Sequence, residues 1–160
     1  MKKPLTLPGF RVLNKEFDEL SRVERPKVVV GVSNAAAEGD RSENAEYIYG
    51  KKRLREIDKR LQYLSSLLGD VDIVDPGSLT GTKVCFGCTV VIEEDGGHKR
   101  KFQIVGEGES DTAQGTISWK SPMARALLGK SVGDVVTVER PAGDLEVEVV
   151  ELYFGARRVC

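Results

Sequence analysis

The chain has 160 residues, of which 40% are hydrophobic and 31% charged, and its formal net charge is -1. This length allows one large domain or two small ones. The balanced charge argues against a protein that coats nucleic acid non-specifically, although it permits a local basic patch. No apolar run approaches the ~20 residues that span a bilayer, and no signal-peptide pattern follows Met1, so we expect a cytoplasmic protein without a membrane partner.

The segment over residues 10–38 predicts a helix. Its early apolar residues recur at helical spacing: Leu13, Phe17 and Leu20. Pro26 interrupts the pattern, and because proline removes a helical hydrogen bond we predict a bend near Arg25. The valines that follow leave a β-strand over residues 27–32 as the alternative.

A second helix is predicted over residues 43–68. Its apolar positions alternate at spacings of three and four, the seam of a coiled coil: Tyr47, Gly50, Leu54, Ile57, Leu61, Leu64 and Leu68. A single helix cannot bury such a seam. We therefore predict that it folds back on the first helix as an antiparallel hairpin with its tip at residues 39–47.

The tip is acidic. Asp40 and Glu43 stand three residues apart, with Glu38 and Glu46 nearby. One interpretation is structural, with Asp40 as the N-cap of the second helix and Glu43 reaching back as in a capping box. The other is a site for a hard cation such as Mg²⁺, which takes oxygen ligands. Two carboxylates are too few for a tight site, so the cation would be shared with another molecule.

A basic run follows the tip. Its cations are Lys51, Lys52, Arg53, Arg55, Lys59 and Arg60, against Glu56 and Asp58 within the same ten residues. The run is either a solvated helix face with local ion pairs or a stripe that contacts nucleic-acid phosphates.

The second half of the chain changes period. Residues 76–82 carry glycine and proline and predict a linker. Beyond them, alternating patterns predict strands over residues 84–93, 101–105, 115–119, 135–139 and 145–153. One short helix is predicted between these strands, with Ser121 as its N-cap, Pro122 at its first position and Gly129 after its end. The fold class is therefore α+β.

Three cysteines occur, at positions 85, 88 and 160. Cys85 and Cys88 form a C-x-x-C pair, but it lies in a predicted strand, where residues three apart point to opposite faces. We interpret both as small buried or half-buried thiols, and a metal or redox role is the alternative. The sequence assigns no role to Cys160.

Two separate motifs give the chain a resemblance to a known family. Residues 39–47 read Gly-Asp-Arg-Ser-Glu-Asn-Ala-Glu-Tyr and lead into the basic run. Residues 121–128 read Ser-Pro-Met-Ala-Arg-Ala-Leu-Leu, followed by Val-Gly-Asp at 132–134. In this order they resemble the bacterial Gre transcript-cleavage factors, and the tip and basic run are closer to the GreB branch than to the GreA branch.

The resemblance implies a fold and a division into domains. Residues 1–75 would form an N-terminal antiparallel coiled coil with the acidic tip at 39–47, and 76–82 would be the linker. Residues 83–160 would form a C-terminal FKBP-like antiparallel sheet domain with one short helix. In this family that domain docks at the rim of the RNA polymerase secondary channel, and the coiled coil enters the channel.

The resemblance also implies roles for individual residues. Asp40 and Glu43 match the tip carboxylates that help to hold the second Mg²⁺ of the polymerase active centre, where the backtracked 3′ end of the nascent RNA is cut. The residues that support the tip are Arg41, Ser42, Asn44, Glu46 and Tyr47. Those that face the RNA are Lys51, Lys52 and Arg53, and those that dock on the polymerase are Lys120, Ser121, Pro122, Met123 and Arg125.

The resemblance therefore predicts a monomeric elongation factor whose only cofactor is Mg²⁺ shared with RNA polymerase, and which is not a free-standing enzyme. Three other functions remain open at this point. The chain could bind the channel and regulate polymerase without promoting cleavage. It could be a peptidyl-prolyl isomerase, as the FKBP-like domain suggests, or a structural coiled-coil adaptor.

Overall fold

The computed structural model describes residues 2–39 and 44–159, and it has an α+β fold. Its α-helices are α1 (Leu7–Glu19), α2 (Arg25–Ala37), α3 (Ala45–Gly69) and α4 (Pro122–Leu127). Its strands are β1 (Lys3–Thr6), β2 (Val71–Val74), β3 (Thr89–Glu94), β4 (Lys99–Val105), β5 (Thr116–Ser118), β6 (Val135–Val138), β7 (Leu145–Phe154) and β8 (Arg157–Arg158). The chain divides into a helical unit, residues 11–70, and a sheet unit that joins the residues up to 10 with those from 71 onward.

The predicted bend in the first helix is a short π-helical segment, Leu20–Glu24, between α1 and α2. The backbone N–H of Arg25 donates to the carbonyl of Leu20, five residues back. Pro26 follows at once, in the first turn of α2. Since a proline ring clashes with the carbonyl four residues before it, a widened turn accommodates Pro26 without ending the helix. The alternative of a strand over residues 27–32 is wrong.

Helix α3 packs against α2 through the predicted seam. Ile57 and Leu64 on this seam are buried, and Leu67 is buried beside it. At Gly50 the two helices come so close that a Cβ atom would lie 2.6 Å from Cγ2 of Val32. Glycine at this seam position thus permits a close approach of α2 and α3, which confirms the helical hairpin.

The sheet unit is built on one curled sheet with strand order β5-β4-β3-β7-β6, and β8 pairs with β7. The pairs are antiparallel except β4 with β5. The predicted hairpins at residues 84–105 and 135–153 are confirmed, but the first begins at Thr89 because residues 85–88 form a turn. Alternating side chains of the strands supply the core, which includes Val90, Ile92, Ile104, Val147, Val149, Leu152 and Phe154.

The first strand belongs to the sheet unit. β1 pairs in parallel with β2, and Leu5 in β1 is buried. The carboxylate of Glu109 accepts hydrogen bonds from the backbone N–H of Thr6 at 3.0 Å, from its hydroxyl, and from the backbone N–H of Gly106 at 2.7 Å. The predicted boundary at residue 75 therefore differs from the structural one, because β1 and β2 pair with each other and pack in this unit.

The predicted linker is partly ordered into a single 3-10 turn, Pro76–Ser78, in which Pro76 is buried.

Helix α4 confirms the predicted short helix, with Ser121 as its N-cap. The backbone N–H of Ala124 donates to the Ser121 hydroxyl at 3.2 Å. Among the residues that the structure describes, no helix is both long and apolar enough to cross a membrane.

Candidate functional site

Asn44, which belongs to the predicted tip, joins the two helices. Its Oδ1 accepts a hydrogen bond from the backbone N–H of Tyr47 at 3.2 Å, which makes Asn44 the N-cap of α3. Its Nδ2 donates to the backbone carbonyl of Ala35 at 2.8 Å, in the last turn of α2. One amide side chain thus satisfies an orphan donor of one helix and an acceptor of the other.

This geometry overturns the capping-box interpretation. The structure gives the N-cap of α3 to Asn44, four residues after Asp40, so the helix does not begin where that interpretation required. Asp40, Arg41, Ser42 and Glu43 themselves lie outside the described residues. Sequence reasoning assigned Asn44 only to the support of the tip, although asparagine is among the best N-cap residues.

The other predicted tip residues occupy the first turn of α3. Glu46 is exposed there, and Tyr47 is half-buried on the seam. An acidic residue in a first turn is favoured by the helix dipole. Within residues 2–39 and 44–159, no three histidine, cysteine, aspartate or glutamate side chains group closely enough to hold a metal ion.

Two cations of the basic run are held by ion pairs across the hairpin. Arg53 Nε donates to Glu24 Oε1 at 2.9 Å, and Arg60 donates to both carboxylate oxygens of Glu16 at 2.7 and 2.8 Å. The hydrogen bond from Arg60 lowers the pKa of Glu16 from its ordinary value. Arg53 also lies 3.5 Å from Glu56 of its own helix.

A third pair of the same kind joins Arg25 of α2 to Asp58 of α3, with Nε 2.7 Å from Oδ1. The hydrogen bond and charge of Arg25 lower the pKa of Asp58. These arginines therefore connect the two helices of the hairpin. Arg53, which the sequence groups with the RNA-facing residues, has its guanidinium engaged by Glu24.

The remaining cations of the run make no ion pair with a described residue. Lys51, Lys52, Arg55 and Lys59 are all exposed. The ion pairs among described residues leave these four out. The structure thus separates the basic run into arginines that join the helices and a set of exposed cations of α3 that have no ion pair within the described part of the chain.

The predicted docking residues lie at the start of α4 in the sheet unit. Lys120 is exposed and its Nζ lies 3.3 Å from Glu107 Oε2, while its ammonium also sits 5.6 Å from the ring centroid of Trp119. Ser121 caps the helix, Pro122 and Arg125 are exposed, and Met123 is half-buried. The structure therefore brings the predicted docking residues together on one short segment.

A cavity of about 250 Å³ opens beside this segment. Its apolar lining comes from Phe102, Ile117, Pro122, Met123 and Val138. The polar part of the wall comes from Thr112, Ser121, Arg100 and Arg140. The guanidinium of Arg100 lies 4.8 Å from the ring centroid of Phe102. Sequence reasoning missed Arg100 and Arg140, because they come from strand β4 and the 138–145 turn and meet α4 only in the fold. Phe102 is the aromatic residue in this lining.

Cys85 and Cys88 stand at the two ends of a turn and not in a strand. The backbone N–H of Cys88 donates to the carbonyl of Cys85 at 3.2 Å, and Gly87 between them has φ of +89°, which glycine adopts readily. Burial raises the pKa of the Cys88 thiol to about 12, and burial also raises that of Cys85. The prediction that they face opposite sides of a strand is wrong, whereas the interpretation as buried and half-buried thiols is confirmed.

Comparison with known proteins identifies the class. The family model "Transcription elongation factor, N-terminal" matches residues 3–73, and "Transcription elongation factor, GreA/GreB, C-term" matches residues 79–154. Together the two models span both units of the structure. The chain therefore belongs to the GreA/GreB family of transcription elongation factors, as the two sequence motifs predict.

Individual relatives agree with this assignment. Transcription elongation factor GreB of Yersinia pestis is 49% identical over 150 residues, covering 94% of this chain and 88% of that protein. GreB of Pasteurella multocida is 46% identical, covering 94% and 95% of the two chains. GreA of Alkalilimnicola ehrlichii is 41% identical, covering 96% and 99%. The assignment rests on the family models and on these sequences. Among solved structures, GreA factor homolog 1 of Thermus thermophilus is 26% identical, covering 96% and 99% of the two chains, with a TM-score of 0.44.

Proposed function

We propose that this chain enters the secondary channel of bacterial RNA polymerase and stimulates the polymerase's own endonucleolytic cleavage of backtracked nascent RNA. Cleavage creates a new RNA 3′ end in the active centre, so that an arrested complex resumes elongation. The chain is not a free-standing nuclease in this proposal, because it completes a site that the polymerase provides. Its membership of the GreA/GreB family supports this function.

The observation that carries the proposal is the position of Asn44. Because Asn44 caps α3 and holds Ala35, neither Asp40 nor Glu43 is needed for the cap. Acidic residues that precede such a cap in the sequence, and that the cap does not require, are suited to act on another molecule. We propose that Asp40 and Glu43 are those residues.

In this proposal the carboxylates of Asp40 and Glu43 contribute oxygen ligands to Mg²⁺ at the polymerase active centre. When bound there, Mg²⁺ lowers the pKa of a water molecule and stabilises the leaving oxygen of the phosphodiester. The chain supplies carboxylate oxygens, the donors that Mg²⁺ prefers. Asn44 acts as a positioning residue, because it holds the start of α3 to the end of α2.

The exposed cations of α3 give the hairpin a surface for RNA. Lys51 and Lys52 lie about 11 Å along the helix from Asn44, at ~1.5 Å per residue. Clustered lysines supply much of the affinity of proteins for nucleic-acid phosphates. We propose that Lys51 and Lys52 contact phosphates of the extruded RNA, while Arg53 has a smaller part because of its pair with Glu24.

The segment around α4 supports docking on the polymerase. Pro122 and Met123 offer apolar surface at the cavity, and Arg100 and Arg140 in its wall add positive charge. Arg125 of the same helix is exposed. An apolar centre with a polar rim is the usual composition of a protein interface. We propose that this segment contacts the rim of the secondary channel.

The direct experiment uses a halted polymerase complex that is backtracked on an RNA labelled at its 3′ end. Addition of the purified chain with Mg²⁺ is expected to release short labelled 3′ fragments, and nucleoside triphosphates should then extend the shortened RNA. A polymerase that responds to an established cleavage factor but shows no faster release with this chain would contradict the proposal.

A further inference from the structure

Tyr49 is the most exposed of the large hydrophobic residues in the described part of the chain, with 72% of its surface accessible. Ile48, its neighbour on α3, is 51% exposed. The other tyrosines are placed differently. Tyr47 lies half-buried on the seam, Tyr63 has the guanidinium of Arg60 5.5 Å from its ring centroid, and Tyr153 has the ammonium of Lys101 at 4.8 Å.

Cations outnumber carboxylates among the charged residues next to Tyr49 on α3. On a helix, residues three or four positions apart are neighbours, so Lys52 lies beside both Ile48 and Tyr49. Tyr49 also lies beside Glu46 and Arg53, and Arg53 is paired with Glu24. From Lys52 the exposed cations continue along α3, because Arg55 is three positions further and Lys59 is four beyond that. An exposed aromatic ring therefore stands at the start of a row of cations without carboxylate partners among the described residues.

This combination is the one by which proteins bind single-stranded nucleic acid. Cationic side chains follow the backbone, and a flat exposed ring offers a face on which one base stacks, independently of its identity. A partner protein would be expected to bury Tyr49 with apolar residues, but its larger neighbours at helical spacing are the charged residues Glu46, Lys52 and Arg53, and the exposed cations Arg55 and Lys59 follow Lys52. Charge complementarity thus favours RNA as the occupant.

We propose that Tyr49 is a stacking platform for one base of the extruded 3′ segment of the nascent RNA, with Ile48 extending its apolar surface. The inference rests on the proposed function, since it assigns Tyr49 to the same RNA. Tyr49 is a positioning residue in this account. It limits the sliding of the extruded strand while Lys52 and Arg55 hold the phosphates.

The distinguishing experiment combines two changes, one in the protein and one in the RNA. Tyr49→Leu keeps an apolar side chain with good helix propensity but removes the flat ring, whereas Tyr49→Phe and Tyr49→Trp keep a ring. Backtracked complexes are prepared with RNAs that carry a single abasic nucleotide at successive positions of the extruded segment. The measured quantity is the concentration of the chain that gives half-maximal cleavage.

Stacking of one base is expected to change this concentration by about tenfold. With the unmodified chain, an abasic nucleotide at one position should raise the concentration, and at the other positions it should have little effect. Tyr49→Leu should raise it by a similar factor on intact RNA and show no further loss with that abasic RNA. Tyr49→Phe and Tyr49→Trp should behave as the unmodified chain does.

Three results would overturn the inference. The first is that Tyr49→Leu acts like the unmodified chain on every RNA. The second is that Tyr49→Leu weakens cleavage equally on intact and abasic RNAs while the unmodified chain is insensitive to all abasic positions, which would assign Tyr49 to a protein contact in the channel. The third is a fall in the melting temperature of Tyr49→Leu, Tyr49→Phe and Tyr49→Trp that accounts for their activities. Failure of the unmodified chain to stimulate cleavage of intact RNA would instead contradict the proposed function.

Discussion

Asn44 donates from its Nδ2 to the carbonyl of Ala35 at 2.8 Å, across the end of the hairpin. The same side chain accepts the backbone N–H of Tyr47, so the start of α3 and the last turn of α2 are held together by one residue. This relationship ties the two helices of the hairpin to each other at the end where the tip begins.

The two hydrogen bonds of Asn44 can be separated by substitution. Asn44→Asp keeps an acceptor for the cap but cannot donate to Ala35, whereas Asn44→Ala loses both. Loss of an N-cap costs about 1 kcal/mol and loss of a buried or half-buried hydrogen bond about 1 kcal/mol more. We expect the free energy of unfolding to fall in the order unmodified, Asn44→Asp, Asn44→Ala, measured by urea titration with circular dichroism. Equal stability of all three chains would contradict the assignment.

The two classes of cation in the basic run predict opposite effects of charge reversal. Arg53→Glu should lower the melting temperature because it places two carboxylates together at Glu24, and the exchange Arg53→Glu with Glu24→Arg should restore most of it. Lys51→Glu with Lys52→Glu should leave the melting temperature nearly unchanged. The rate of RNA cleavage should respond in the opposite way. At low salt it should fall more in the variant with both lysines reversed than in Arg53→Glu.

One result would contradict the division of the basic run into helix-joining arginines and RNA-binding lysines. If the Arg53 and Glu24 exchange restores stability but cleavage remains as weak as in the lysine variant, Arg53 contacts the RNA despite its ion pair. The measurements are thermal unfolding by circular dichroism and the rate of RNA cleavage at two salt concentrations.

Sequence periodicity predicted the parts of the fold that depend on local pattern. The seam of α3 and the alternation in β3, β4, β6 and β7 recur over enough residues to specify the element and its buried face. The parallel pairing of β1 with β2 escaped prediction because its partners, Lys3 and Val71, are distant in sequence. A four-residue strand without a neighbouring turn gives no local signal of its partner.

In the candidate site, too, local pattern predicted some features, whereas others depend on contacts across the hairpin. Both Asp40 and Asn44 are good N-cap residues, and the choice between them depends on the carbonyl of Ala35, which only the hairpin brings near. Likewise, no pattern within the basic run indicates that Arg53 faces Glu24 while Lys52 faces solvent. Spacing locates a helix face, but the partner across a hairpin decides which charges are neutralised.

Met123 provides a test of the docking segment. Met123→Asp would place a charge beside the cavity lined by Phe102, Ile117 and Val138. Because interface centres tolerate charge poorly, we expect the concentration for half-maximal cleavage to rise about tenfold or more, with the cleavage rate at saturation unchanged. A loss of the saturating rate with no change in the half-maximal concentration would contradict a docking role.

The thiols of the Cys85 and Cys88 turn should be slow to react. A pKa of about 12 keeps Cys88 protonated at pH 8, and only the thiolate is nucleophilic. In a Cys160→Ser background, we expect iodoacetamide to label Cys88 much more slowly than Cys85 in the folded chain, and at similar rates in urea. Rapid labelling of Cys88 in the folded chain at pH 8 would contradict its burial.

The raised pKa of Cys88 also makes the free energy of unfolding depend on pH. A thiol whose pKa is higher in the folded chain than its ordinary value of 9.0 favours folding in its protonated form. Its contribution is therefore complete below about pH 9 and is lost as the pH rises towards 12. Replacement by alanine should make the free energy of unfolding less dependent on pH in that interval.

The central claim is that Asp40 and Glu43 act through their negative charges. Asp40→Asn with Glu43→Gln keeps the size and hydrogen-bonding oxygen of both side chains but removes the charges that a cation needs. The direct measurement is the rate of Mg²⁺-dependent RNA cleavage in backtracked complexes at a saturating concentration of the chain, with binding measured separately by competition. The account predicts a loss of at least a hundredfold, about 2.7 kcal/mol in activation free energy, with binding and melting temperature unchanged. Full cleavage activity in this double variant would contradict it.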